Sequence, residues 1–134
     1  DLRIEFSGDP QTPLVQGDPV RLYRVLVNLI NNAIDAVQAR NGDGGVVGVE
    51  VVPEPETVLL NVQDNGVGIP ESDLPRIFEN LFTTKAGERG SGLGLAIVRK
   101  IVEEHGGRID VETKRGEGTV FRIRLLAAGP PEGD

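Results

Sequence analysis

The sequence predicts an α/β fold of the α+β kind, a mixed and mainly antiparallel sheet covered on one face by helices. Two segments repeat apolar residues at three- and four-residue steps, the period of a helix buried on one side. Short β-rich runs flank both segments, so the order is strands, helix, strands, helix, strands. Only a core of Leu, Ile, Val and Ala is available, because aromatic residues make up 4% of the chain.

LRIEF (2–6) alternates apolar and polar residues and reads as an edge strand. GDPQTP is turn chemistry. Asp18-Pro19 opens the first helix, with Asp as N-cap and Pro at the first helical position. Leu22, Val25, Leu26, Leu29, Ala33, Ala36 and Val37 then form one stripe to about Arg40, where NGDGG stops the helix. VVGVEVV (46–52) and TVLLNVQD (57–64) form a hairpin around PEPE. NGVGIPESD is a glycine-bearing loop, DLPRIFENLF holds a short helix, and TTKAGERGSG is loop. LGLAIVRKIVEEH (93–105) is the second amphipathic helix, ended by Gly106 and Gly107. RIDVET and GTVFRIRLL are the last strands, and AAGPPEGD (127–134) is expected to be a disordered tail.

A length of 134 residues suits one domain, here 1–126, with a single core. The net charge of −7 argues against a nucleic acid or an anionic membrane as partner, since both need a basic face. It leaves room for a small anion held by a few local donors. The chain has no cysteine, which removes disulfides and thiolate metal sites. No apolar run approaches the roughly 20 residues that span a bilayer, and no signal peptide is visible. A cytoplasmic location for this part of the protein, whose parent can itself be membrane-anchored, and a monomeric isolated domain are expected. The absence of methionine suggests a piece of a longer protein.

Three stretches carry candidate chemistry. In NLINNAIDA (28–36), Asn28 and Asn32 stand one turn apart beside the apolar stripe, although Asn is a poor residue for a helix interior. A carboxamide oxygen is a hard neutral ligand suited to Mg²⁺ beside phosphates; two asparagines on a solvated flank are the plainer alternative. In DNGVGIP (64–70), Asp64 ends an apolar strand and can accept a hydrogen bond from an amino group, while Gly66 and Gly68 allow close backbone approach to a flat ring. An ordinary Asp-Asn-Gly turn has the same letters. In GERGSGLGLAIV (87–98), glycines 87, 90, 92 and 94 precede a helix whose N-terminal dipole suits phosphate. That stretch is neither a Walker A loop nor a dinucleotide fingerprint. Lys85 and Arg89 add charge there, or are simply solvated.

Taken in order, the Asn28/Asn32 helix, DNGVGIP, IFENLFTTK, GSGLGLAIV and GEGTVF closely resemble the ATP-binding catalytic domain of sensor histidine kinases. This is the GHKL group, which also holds the gyrase, heat-shock chaperone and mismatch-repair ATPases. The resemblance covers about residues 2–126 and is nearest to the NAIDA/TTK subgroup. It implies a two-layer α/β sandwich, with ATP and Mg²⁺ held between helices and a lid. It also implies that Asn32 binds the metal and that Asn28 and Lys85 join Asn32 in catalysis. Asp64 reads the adenine amino group, with Gly66, Gly68 and Ile69 shaping the pocket and Thr119 supporting it. Phe78 and Phe82 belong to the lid box with Thr84 and Lys85. Arg89, Gly90, Ser91, Gly92, Leu93 and Gly94 belong to the phosphate box.

The resemblance also speaks to reaction type. The ATPases of the group carry Glu at the position of Asn28, where it acts as a base for water. A carboxamide takes no proton at neutral pH. Transfer to a partner group fits better, because phosphoryl transfer rests on alignment and charge stabilisation. The acceptor would be a histidine on an upstream helical dimerisation domain, and an aspartate-bearing response regulator a further partner. His105, the single histidine, lies at a helix end and is read as structural. FENLFTTK departs from the subgroup's FEPFFTTK at Asn80 and Leu81, and Asp35 stands where many members carry a basic residue. Those departures keep two alternatives open: a nucleotide-binding docking module with little transfer activity, and a GHKL ATPase or anti-sigma-type serine kinase.

Overall fold

The computed structural model describes residues 2–12, 15–40, 42–79 and 94–128. Along the chain these form β1 (Leu2–Gly8), α1 (Pro19–Gln38), β2 (Gly45–Pro53), β3 (Thr57–Asp64), a 3-10 turn (Glu71–Arg76), α2 (Gly94–Glu104), β4 (Arg108–Lys114) and β5 (Gly118–Leu126). The strands make one sheet in the order β1-β2-β3-β5-β4. Only β1 and β2 run parallel; the other three pairings are antiparallel. The expected mixed, mainly antiparallel sheet with helices on one face is what forms.

Asp18 caps α1 as its sequence implied. Its Oδ1 accepts the N–H of Val20 at 2.9 Å and that of Arg21 at 3.4 Å, and Pro19 fills the first helical position. Such a cap contributes about 1 kcal/mol. From there Val25, Leu29, Ala33 and Val37 point into the sheet and are buried. They meet Val47, Val62, Phe121 and Ile123 from three adjacent strands and Val98, Ile101 and Val102 from α2. Register explains the match. Val49, Val62, Phe121 and Val111 lie opposite one another across β2, β3, β5 and β4, so they share the helix-facing side. The other side is polar, crossed by pairs such as Arg122–Glu112 at 2.9 Å and Arg124–Glu54 at 3.2 Å.

The edge strand β1 stays exposed along its whole length, Phe6 included at 68%. The two helices are fastened at one end. The Asp18 N–H donates to His105 Nε2 at 3.0 Å, while His105 Nδ1 donates to the Ile101 carbonyl at 2.8 Å. Arg21 pairs with Glu104 beside them. Nε2 thus ties the α1 start to the α2 end, while Nδ1 holds the ring against the last turn of its own helix, a structural role for His105. Of DLPRIFENLF, the helical part is the 3-10 turn alone among the described residues; Pro75 removes a donor that an α-helix would need. Ala127 is bonded through its N–H to the Glu56 carbonyl at 3.1 Å and bridges Val15. The rest of the expected tail beyond residue 128 lies outside the described residues.

Candidate nucleotide-binding site

One flank of α1 gathers the sequence-predicted residues. Asn28, Asn32, Asp35 and Ala36 follow at three- and four-residue spacing, so they share a face beside the buried stripe. At the upper end Asn28, half-buried, donates from Nδ2 to the Gly94 carbonyl at 3.3 Å. That bond ties the helix to the first residue of α2. At the lower end the Val67 N–H donates to the Ala36 carbonyl at 3.2 Å. The flank therefore runs from the start of α2 to the DNGVGIP loop, a span of roughly 12 Å at 1.5 Å per residue.

Asn32 lies between these two anchors. Its Nδ2 is buried and has no hydrogen-bond partner among the described residues. A buried amide that the protein leaves unmatched is costly, and a ligand that satisfied the group would recover that cost. No cluster of three His, Cys, Asp or Glu side chains able to hold a metal exists among the described residues. A cation here would have to bring other oxygens with it, as Mg²⁺ does when it arrives on a triphosphate. The Asn32 Oδ1 fits that partial role, whereas the unmatched Nδ2 is a donor and calls for an acceptor such as a phosphate oxygen. Asp35, one turn further, lies on the same face.

The lower end is built around Asp64. It is 8% exposed, and burial pushes its carboxyl up to about 6. The N–H groups of Gly66, at 2.8 Å, and Thr119 donate to it and pull the other way. Thr119 is 4% exposed and lies opposite Asp64 in the β3–β5 ladder, on the same face. Gly66 presses against Ala36; a Cβ there would lie 2.4 Å from the Ala36 carbonyl carbon. Gly68 turns the chain at φ +78° under the Lys114 carbonyl, which a Cβ would approach to 2.6 Å. Half-buried Ile69 follows, its N–H donating to Thr113 Oγ1 at 2.9 Å. The loop can come this close to α1 and β4 only because both glycines lack a side chain.

Three residues that the motif reading missed hold this end together. Arg40 donates to the carbonyls of Asn65, at 2.8 Å, and Asp43, at 2.6 Å. Asn65 accepts the Val46 N–H at 2.8 Å and donates to the Gly44 carbonyl at 2.9 Å. The loop is thus pinned to the end of α1 and the start of β2. Thr113 contacts Ile69, Gly118 and Thr119. Arg40 at a helix end and Asn65 in a turn dipeptide gave no distinct signal, and Thr113 sits in an ordinary alternating strand.

Asn28 and Gly94 are therefore brought together at one end, Asp64, Gly66, Gly68, Ile69 and Thr119 at the other, and Asn32 lies between them. The expectations for Phe82, Thr84, Lys85, Arg89, Gly90, Ser91, Gly92 and Leu93 lie outside the described residues. Phe78 of the same box packs against the core, with the Arg99 guanidinium 5.6 Å above its ring. No helix among the described residues is long and apolar enough to cross a membrane.

The profile of histidine kinase-, DNA gyrase B- and HSP90-like ATPases matches residues 17–129. Sensor histidine kinase ZraS of Escherichia coli strain K12 is 42% identical over 125 residues, covering 93% of this chain and 26% of that protein. The chain thus spans about a quarter of the length of that curated relative. Among solved structures, the catalytic domain of histidine kinase ThkA in a nucleotide-free form superposes with a TM-score of 0.79 at 35% identity, covering 94% of this chain and 80% of that one. Full-length ShkA in complex with AMPPNP superposes with a TM-score of 0.81 at 27% identity, covering 96% of this chain and 27% of that one.

Proposed function

The chain belongs to the histidine kinase-, DNA gyrase B- and HSP90-like ATPase family, and from that premise we propose that it is the ATP-binding catalytic domain of a sensor histidine kinase. It transfers the γ-phosphoryl group to a histidine on a helical dimerisation domain of its parent protein, from which a response regulator receives it. The observation that carries this reading is the α1 flank. One helix face offers a carboxamide with an unmatched buried amide and abuts a buried carboxylate and two close-packed glycines at its lower end.

Asn32 would hold Mg²⁺ carried in on the ATP phosphates, and that cation would offset charge on the transferring group. The chain's own residues bind and orient. Asp64 accepts from the adenine amino group, with Thr119 beside it and Gly66, Gly68 and Ile69 forming the wall. Asp35, Thr84, Lys85 and Arg89, the glycines at 90, 92 and 94, Ser91, Leu93 and Phe82 are assigned to the nucleotide by the motifs they occupy. Lys85 is the candidate cation for the phosphates. Asn28 is held by the Gly94 carbonyl and is no base, which favours transfer over hydrolysis.

Calorimetry with Mg-ATP tests the binding half. The expected result is saturable heat in the micromolar to millimolar range; no heat at millimolar ATP, together with an unchanged melting point, removes the reading. Incubation with labelled ATP and a cognate acceptor helix pair tests the transfer half. Acid-labile label on the acceptor histidine is expected, and release of free phosphate alone would assign an ATPase instead.

A further inference from the structure

We propose that Thr113, which none of the nucleotide motifs contains, is a positioning residue that sets the purine preference of the site by fixing the direction of the Thr119 hydroxyl. The inference rests on the proposed function, since it assumes that a purine meets Asp64 and Thr119.

Thr113 Oγ1 has three neighbours. The Ile69 N–H, at 2.9 Å, can only donate to it. The Gly118 carbonyl, at 3.1 Å, can only accept from it. Thr119 Oγ1, at 2.8 Å, can do either. A hydroxyl has one proton and two lone pairs. If Thr113 gave its proton to Thr119, a lone pair of Thr113 would face the Gly118 carbonyl oxygen at 3.1 Å. The arrangement with no such opposition has Ile69 and Thr119 donating to Thr113, and Thr113 donating to Gly118. All four groups are then matched, as half-buried polar groups require.

The consequence falls on Thr119. Its proton is committed to Thr113, so it offers only lone pairs elsewhere. Thr119 stands beside Asp64 across the β3–β5 ladder, and ionised Asp64 is also acceptor-only. The purine end of the site is therefore a pair of acceptors. The exocyclic amino group of adenine supplies two N–H donors and matches it. The carbonyl oxygen that hypoxanthine and guanine carry at that position meets lone pairs. Without the Thr113 hydroxyl, Thr119 is free to rotate and to donate its proton to such an oxygen.

The test compares the intact domain with Thr113→Val and Thr113→Ser, using calorimetry with Mg-ATP and Mg-inosine triphosphate, alongside melting curves. Wild type is expected to prefer ATP by tenfold or more. Thr113→Val should lower that preference by roughly tenfold, the worth of one buried hydrogen bond, and Thr113→Ser should restore it. A merely structural Thr113 would weaken both nucleotides equally and leave their ratio unchanged, which overturns the proposal. Should Thr113→Val not fold, Thr113→Cys, with its weak thiol donor, is read by the same ratio. Equal binding of the two nucleotides by wild type overturns the proposal while leaving ATP binding intact. Binding of neither removes the functional reading itself, and the proposal with it.

Discussion

Replacing Asp64 by Asn separates what this residue does for the ligand from what it costs the fold. Burial raises its carboxyl from 3.8 to about 6 in the folded chain. The folded state therefore keeps the proton to higher pH than the unfolded one. Its contribution to stability is complete below pH 3.8 and is lost as pH rises through about 6. At 1.36 kcal/mol per pH unit the loss comes to ~3 kcal/mol. Asparagine is neutral throughout, and its Oδ1 can still accept from the Gly66 N–H. The unfolding free energy of Asp64→Asn, measured against wild type, should thus rise by ~2 kcal/mol between pH 4 and pH 7, the remainder of the loss falling below pH 4, and then level off. For a chain of this length that change corresponds to about 8 °C in the melting-temperature difference between the two proteins across the same pH range. Urea unfolding without nucleotide at pH 4, 5, 6, 7 and 8 reads the difference directly, because all other titrations are common to both proteins. The same substitution should weaken ATP by about 1.5–3 kcal/mol, the cost of losing a charged acceptor. A stability difference that stays constant from pH 4 to 8 would refute the buried charge as the cause.

Asn32→Ala should leave the melting temperature of the empty domain near wild type or slightly higher, because it removes an unmatched buried amide, while ATP affinity should no longer respond to added Mg²⁺ in calorimetry. Gly66→Ala drives a methyl to 2.4 Å from the Ala36 backbone; overpacking of this kind costs about 1–3 kcal/mol, and ATP binding should weaken with it because the loop that holds Asp64 must shift. His105→Ala removes the acceptor of the Asp18 N–H and the donor to Ile101. A loss of about 1–2 kcal/mol in urea unfolding is expected, with ATP affinity within a factor of two of wild type; abolished nucleotide binding would show that His105 acts beyond fastening the helices.

Most element boundaries were legible because their causes are local. Asp18-Pro19 starts α1, the stripe from Val25 to Val37 fixes its buried face, and the run TVLLNVQD coincides with β3. The DLPRIFENLF segment was harder to read. A short helix was expected there, and the described residues form a 3-10 turn over Glu71–Arg76 that contains Pro75. The site was legible through motifs whose residues lie close in sequence, such as Asn28 with Asn32 and Asp64 with Gly66. Arg40, Asn65 and Thr113 were not legible, since each acts on partners that sequence spacing does not reveal. His105 was read from its place at a helix end, but its bond to the Asp18 N–H crosses 87 positions.

Left to itself, the sequence decided where helices and strands begin and which of their faces turn inward, and it marked the boxes from which the candidate site is drawn. Period, capping and glycine content are properties of a few neighbouring residues. Tertiary structure alone decided that Gly66 rests on Ala36, that Thr119 stands opposite Asp64, and that Thr113 receives the Ile69 N–H across 44 positions. The physical reason is register. Sliding one strand by a single residue turns every side chain to the other face, so hydrogen-bond partners between strands exist only once the whole sheet has closed against its helices.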